Sequence, residues 1–228
     1  MTSTSPATNP EALPGAVSQQ IADHPPDAIL GGGSGPRQRV RPEEVAERFG
    51  ASRLPLGEAP RILAVEGLIE QESNKVARVP GLDSREVDIY QILERLERLA
   101  LSLSITHLTE DYLCRLEHIQ GQIETCSDVS GCLELDRELH LLTYAGCHGD
   151  QPTSMVTRLW NCTQHYRRAF MPSCGAARMW VTNGKHRLLL EAIRRRDSTG
   201  AECYLNGHIR RTQVEMTRHP QVVDEAPS

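Results

Sequence analysis

The sequence predicts a mainly α protein: a small winged helix-turn-helix unit near the N-terminus, followed by an all-α antiparallel helical bundle. Three observations carry this. Residues 41–79 give helix, turn, helix and two short strands, in that order. Beyond residue 82, apolar residues recur at spacings of three and four, the period of a helix packed along one face. The breaks between those stretches, "CSDVSG", "CHGDQP", "PSCG" and "RDSTG", are short, and no strand pattern lies between them.

Residues 1–14, rich in Ser, Thr, Pro and Ala, predict a disordered tail. The first folded unit is expected over residues 15–80, where "HPP" at 24–26 and "GGGSG" at 31–35 interrupt any helix begun near Ala16. From Arg41, "RPEEVAERFG" places a proline and two acids in a first turn and a glycine at the close, a short helix. "ASRLPLGEAPRILAVEGLIE" adds a turn and a second helix, and "LIEQESNKVARV" two strands around Ser73–Lys75. The second unit is expected over residues 83–215. Asp83 with Glu86 resembles a capping box, and Val87, Tyr90, Leu93, Leu96, Leu99 and Ala100 share one side of the helix that follows. Further helices are predicted at 109–124, 129–146, 152–171, 175–195 and 199–215, with a loose tail over 216–228.

The 228 residues contain no run of eighteen apolar residues and begin without a basic, then apolar, leader; a cytoplasmic protein with no membrane span is expected. Net charge is −5, so the chain as a whole lacks the footprint of a nucleic-acid binder. Residues 36–79 hold eight Arg/Lys against seven Glu, a balance of +1 that permits DNA contact without arguing for it. The seven cysteines form no CxxC pair, which predicts reduced thiols in helical cores rather than a disulfide framework.

"LDRELHLL" places Asp136 four residues before His140, which leaves both on one helix face, about 40° apart around the axis. Alone, the pair reads as a solvated acid and base, which is common at this spacing, rather than as half of a metal site.

"DAILGGGSGPRQRVRPEEVAERFGASRLPLGEAPRILAVEGLIEQESNKVARV" resembles the N-terminal domain of the GntR family of bacterial transcription regulators. The helical remainder is similar to the FadR-type C-terminal domain, and "KHRLLLEAIRRRDSTGAECYLNGHIRR" carries that domain's signature. The likeness spans about residues 27–215. It implies a homodimer that binds operator DNA and responds to a small carboxylate effector held in the C-terminal domain. In metal-dependent members an Asp and a His four apart on one helix meet two His from later helices. The resemblance therefore assigns Asp136, His140, His186 and His208 as ligands of one divalent transition metal, with His186 and His208 separated by 22 residues. Three imidazoles and a carboxylate suit zinc first, or nickel, iron or manganese, and leave positions open for an effector carboxylate. His24, His107, His118, His148, His165 and His219 are read as surface or loop residues.

The sequence departs from the family in its DNA-reading half. Gly57 stands where an operator-contacting Arg is common, Leu54 where Thr is common, and Val76 where the wing usually has Gly. Pro60 falls inside the expected reading helix, at a cost of about 3 kcal/mol in an ordinary interior. Ser52, Arg53, Arg61 and Lys75 remain as candidate DNA contacts; Arg61 and Arg78 read equally as solvated charge. In the second unit, Leu93 replaces the Arg that many members aim at the effector, while Tyr90 and Glu97 are kept. Two readings follow: a metal-containing, ligand-responsive regulator, or a metal-dependent enzyme or non-DNA-binding sensor on the same scaffold. For the enzyme, Tyr90, Glu97 and Tyr144 are the acid/base candidates.

Overall fold

The computed structural model describes residues 37–41, 45, 58–71, 76–81, 88–171 and 176–218. Ser52, Arg53, Leu54, Gly57, Lys75, Asp83, Glu86, His24 and His219 lie outside these residues, as do Pro25 and Pro26.

The N-terminal unit contains strand β1 (Arg39–Val40), helix α1 (Glu58–Val65) and strands β2 (Glu70–Gln71) and β3 (Ala77–Arg78). The strands form an antiparallel sheet in the order β1-β3-β2, with Val40 and Gln71 both paired to Ala77. β2 and β3 are the expected strand pair. β1 was not expected, because two residues are too few to display an alternating pattern. Ile62, Leu63, Leu68, Ile69, Ala77, Val79 and Val45 bury a small apolar core of their own. Each large aliphatic side chain there contributes about 1.5–3 kcal/mol.

Pro60 lies within α1, and the helix continues from it to Val65. Arg61 stands exposed on the same helix, whereas Arg78 donates through Nη1 to the Arg37 carbonyl at 3.0 Å and helps to close the sheet.

Six helices lie in the described residues of the remainder: α2 (Ile89–Ser104), α3 (Glu110–Thr125), α4 (Val129–Thr143), α5 (Asp150–Phe170), α6 (Ala176–Arg194) and α7 (Ser198–Arg218). The helices expected at 109–124, 129–146, 152–171, 175–195 and 199–215 are present, with ends displaced by no more than three residues, and the start expected at Asp83 lies outside the described residues. α7 packs on α6 and α2, α3 on α4 and α6, and α5 on α2 and α4. Leu93, Leu101, Ile105, Leu116, Leu139, Val156, Trp160, Leu189, Ile193 and Leu205 are among the residues of the common core. No helix of the described residues is long and apolar enough to cross a membrane.

Local chemistry sets where the helices carrying the candidate ligands begin. Asp128 caps α4, its side chain accepting from the Gly131 amide at 2.7 Å. Asp197 accepts from the Gly200 amide at 2.9 Å at the start of α7. Between α6 and α7, Arg196 takes a left-handed φ of 58°, and its guanidinium donates to the carbonyls of Ile105 and Leu108 beyond the end of α2. That bond ties the turn preceding His208 to the helix that bears Glu97.

Two expectations are corrected. Cys126 and Cys132 form a disulfide between the end of α3 and the first turns of α4, with Cα atoms 5.6 Å apart. The helix–helix corner brings the two residues together, and six positions of separation do not reveal this in a sequence. His165 is buried, not a surface residue. α5 is enclosed by α2, by α4 and by the turn after α1, so its polar residues Asn161, Thr163, Gln164 and His165 are covered as well. His107, His118 and His148 are exposed, as expected.

The N-terminal unit meets the bundle at the end of α1. Asn161 of α5 donates through Nδ2 to the Glu66 carbonyl at 2.8 Å, and the Cys162 thiol donates to the Gly67 carbonyl at 3.4 Å. Gly67 has a φ of 74°, and a Cβ there would lie 2.7 Å from the Cys162 sulfur and 2.8 Å from the Arg158 carbonyl oxygen. Both the turn and the close approach require glycine. Arg137, buried on α4, donates to Asn161 Oδ1 at 3.2 Å. The α4 helix thus reaches α1 through one side-chain amide.

Candidate metal centre

Asp136 and His140 lie on consecutive turns of α4, His186 on α6 and His208 on α7. One candidate ligand atom from each lies within 4.8 Å of the others. The imidazole centroids are 4.7 Å apart for His186 and His208, 4.9 Å for His140 and His208, and 5.6 Å for His140 and His186. The structure therefore brings together all four residues that the resemblance assigns.

The orientation of two rings is fixed from behind. His140 Nδ1 lies 3.2 Å from Glu97 Oε2, and His186 Nδ1 lies 2.9 Å from Gln120 Oε1. An amide oxygen only accepts, so His186 carries its proton on Nδ1 and presents the Nε2 lone pair to the cluster. The Nε2 atoms of both His140 and His186 are buried without a hydrogen-bond partner. His186 Nε2, which carries no proton in this tautomer, lies 3.4 Å from Asp136 Oδ1 and makes no hydrogen bond to it. Two orphaned nitrogens turned toward a carboxylate cost stability in a protein without an ion there, and they are the donors a transition metal takes.

Burial pushes the His186 imidazole down to about 4, against the opposing pull of Asp136. His208 is held well below the ordinary histidine range, first by burial and then by the neighbouring His186 and His140. Both are neutral at pH 7, the form that ligates. Three nitrogens and one carboxylate oxygen are a set that zinc, nickel, iron or manganese accepts. The residues present fit such an ion.

The supporting groups are as ordered as the cluster. Glu97, fully buried on α2, receives Trp160 Nε1–H on Oε1 at 2.9 Å, while Oε2 receives the Tyr144 hydroxyl and faces His140. Burial, and then Glu97, raises the Tyr144 phenol well above its usual range, so it stays protonated as the donor. Gln120 Nε2 donates to Glu124 Oε1 at 3.0 Å, and Arg187 holds that carboxylate with bonds of 2.7 and 2.8 Å. Burial raises the Tyr90 phenol as well, although Arg167 beside it pulls the other way. Of the three acid/base candidates, Tyr90 lines the cavity beside the cluster; Glu97 and Tyr144 stand behind His140 and are engaged with it and with each other.

That cavity, about 60 Å³, is lined by Asp136, His140 and His208 together with residues of α2, α4, α5, α6 and α7. Arg167 belongs to it and was not singled out in the sequence. Its guanidinium lies 3.4 Å from the centroid of the Trp160 ring, and Nη1 is 3.8 Å from Asp136 Oδ2. Trp160 and Arg167 are seven residues apart, two turns on one face, which is the signal that was available.

The family model described as the FCD domain matches residues 88–211. The chain belongs to the FCD-domain family. Its FCD domain is the six-helix bundle that carries the cluster. The resemblance to GntR-family regulators with this domain, read from the sequence, is upheld. The chain is similar to the uncharacterized HTH-type transcriptional regulator YdhC of Bacillus subtilis (strain 168), at 25% identity over 185 residues, 79% of this chain and 82% of the relative. Among solved structures it is similar to a GntR family transcriptional regulator from Pseudomonas syringae pv. tomato str. DC3000, at 27% identity and a TM-score of 0.57, covering 91% of this chain and 86% of that one. E. coli McbR/YncC shares the fold, with a TM-score of 0.71 at 18% identity over 91% of this chain and 98% of that one.

Proposed function

We propose that this chain is a metal-containing, homodimeric and cytoplasmic transcription regulator that binds operator DNA through a winged helix-turn-helix over residues 15–80 and senses a small carboxylate with its FCD domain. One observation carries the reading. Asp136, His140, His186 and His208 converge from three helices of the FCD domain, with His nitrogens left unbonded and supported from behind.

A divalent ion on this set, zinc first, offers a Lewis-acidic seat with open positions for a carboxylate oxygen. The chain does the rest. Glu97 and Gln120 hold two rings in register, and burial keeps His186 and His208 unprotonated. Ser52, Arg53, Arg61 and Lys75 contact the DNA backbone, with Arg53 reaching a base edge. Effector and operator then change each other's affinity by the same factor.

The test has two arms. Purified protein should hold about one metal ion per chain, and His186→Ala or His208→Ala should lose it. A gel shift on the gene's own upstream region should show a specific complex that Arg53→Ala weakens. Stoichiometric metal in both histidine variants sinks the metal assignment. Gly57, in place of the usual operator-contacting Arg, is what favours the second reading, a non-DNA-binding sensor or enzyme. A metal-loaded protein with no specific shift at low salt selects that reading.

A further inference from the structure

The cavity beside the cluster has a mixed lining. Asp136, His140, His208 and Arg167 share it with the apolar side chains of Leu133, Phe170, Met171, Met179, Ile209 and Met216, and with Tyr90, Thr182 and Thr212. Resting on the proposed sensing role, we infer that the ligand is a monocarboxylate with a hydrocarbon body, its carboxylate anchored by Arg167 and its body held by the methionine-rich wall.

Arg167 has the properties of an anion anchor. Its side chain is 9% exposed, and its Nε has no hydrogen-bond partner. The Trp160 face fixes the guanidinium plane without using its donors. Asp136, at 3.8 Å, is the nearest carboxylate, too far for a hydrogen bond. A buried guanidinium with donors to spare is matched by a planar carboxylate. The position also answers a vacancy in the sequence: Leu93 of α2, buried, stands where related chains aim an Arg at the ligand. Here α5 supplies the cation instead.

Charge sets the valence. Arg167 is the only Arg or Lys among the described residues that line the cavity, so one carboxylate has a fixed cationic partner there. A second carboxylate would find no second Arg or Lys among the described lining residues, and a row of hydroxyls would face mostly apolar side chains, with Tyr90, Thr182 and Thr212 the polar exceptions. Three methionines adapt to the shape of an alkyl or aryl group. At roughly 10–15 Å³ per water, the space corresponds to about four to six waters, the scale of a small organic acid rather than a nucleotide.

Calorimetric titration of the zinc-loaded full-length protein with hexanoate, phenylacetate, succinate, gluconate and hexanamide tests this. Hexanoate and phenylacetate should bind at least about tenfold more tightly than succinate or gluconate, and hexanoate at least about tenfold more tightly than hexanamide. Arg167→Gln should bring hexanoate and hexanamide to within about twofold. Tighter binding of succinate or gluconate overturns the inference, as does an unchanged hexanoate preference in Arg167→Gln. If that variant does not fold, the ligand series on the unaltered chain still decides. Should the protein retain no metal yet prefer hexanoate through Arg167, the inference stands and the metal-based reading falls; metal retained without that preference does the reverse.

Discussion

Glu97 of α2 and His140 of α4, 43 residues apart in sequence, face each other across 3.2 Å in the buried centre of the bundle. The contact joins the first helix of the FCD domain to the helix that carries two of the four candidate ligands. Replacing Glu97 by Gln keeps the shape but offers a single acceptor for the three donors that now converge on two oxygens. Metal affinity should fall by about 10–100-fold, as for other supporting groups of metal-bound histidines. A zinc-competition titration reads this directly, and unchanged affinity would show that Glu97 has no part in orienting His140.

The junction between α1 and α5 predicts a stability effect remote from the cluster. Gly67→Ala places a Cβ where the Cys162 sulfur and the Arg158 carbonyl already sit, at a positive φ. A loss of about 1–3 kcal/mol is expected. Asn161→Ala removes the acceptor of the buried Arg137 and the donor to Glu66, for a loss of about 1–3 kcal/mol. Urea denaturation measures both. A neutral Gly67→Ala would mean that the turn is not held against α5.

The Cys126–Cys132 bridge predicts a change on reduction. Alkylation under denaturing conditions should label two more cysteines after reductant than before it. A bridge closing so short a loop is worth about 2 kcal/mol in the chain-entropy model, so Cys126→Ser with Cys132→Ser should lower the unfolding free energy by about that much under oxidising conditions and little under reducing ones. Equal labelling with and without reductant would show free thiols.

Acid should weaken the support behind His186. The Arg187 guanidinium, with Gln120, lowers the Glu124 carboxyl from 4.5 to about 2. A carboxyl depressed in the folded state stabilises it fully above the unfolded value and loses that contribution as pH falls toward the folded one. The difference in melting temperature between the chain and Glu124→Gln should therefore be constant above about pH 5 and vanish as pH falls toward about 2. Both residues are partly exposed, so the difference should also shrink with salt. A difference that persists undiminished at the acid end would contradict the assignment to this ion pair.

What could be read in the sequence, and what could not, follows the range of the forces involved. Helices were legible because apolar periodicity acts within one or two turns and the breaks between them are short. The four cluster residues were legible only through the resemblance: no local rule connects Asp136 with His208, 72 positions on. Gln120, Arg167 and Trp160 were missed for that reason, since their roles exist only once α3 and α5 lie against α4. His165 was misjudged because a polar helix face was equated with a wet one.

Helix α5 serves two neighbours at once. Trp160, Arg167 and Phe170 form wall of the cavity, while Asn161 and Cys162 grip the turn that follows α1. Asn161 and Arg167 are six residues apart, about 9 Å along one hydrogen-bonded rod. A rod of that length does not absorb a displacement; it passes it on. Whatever seats itself against Arg167 and moves α5 also moves the floor on which α1 rests, and the chain needs no separate messenger between the two.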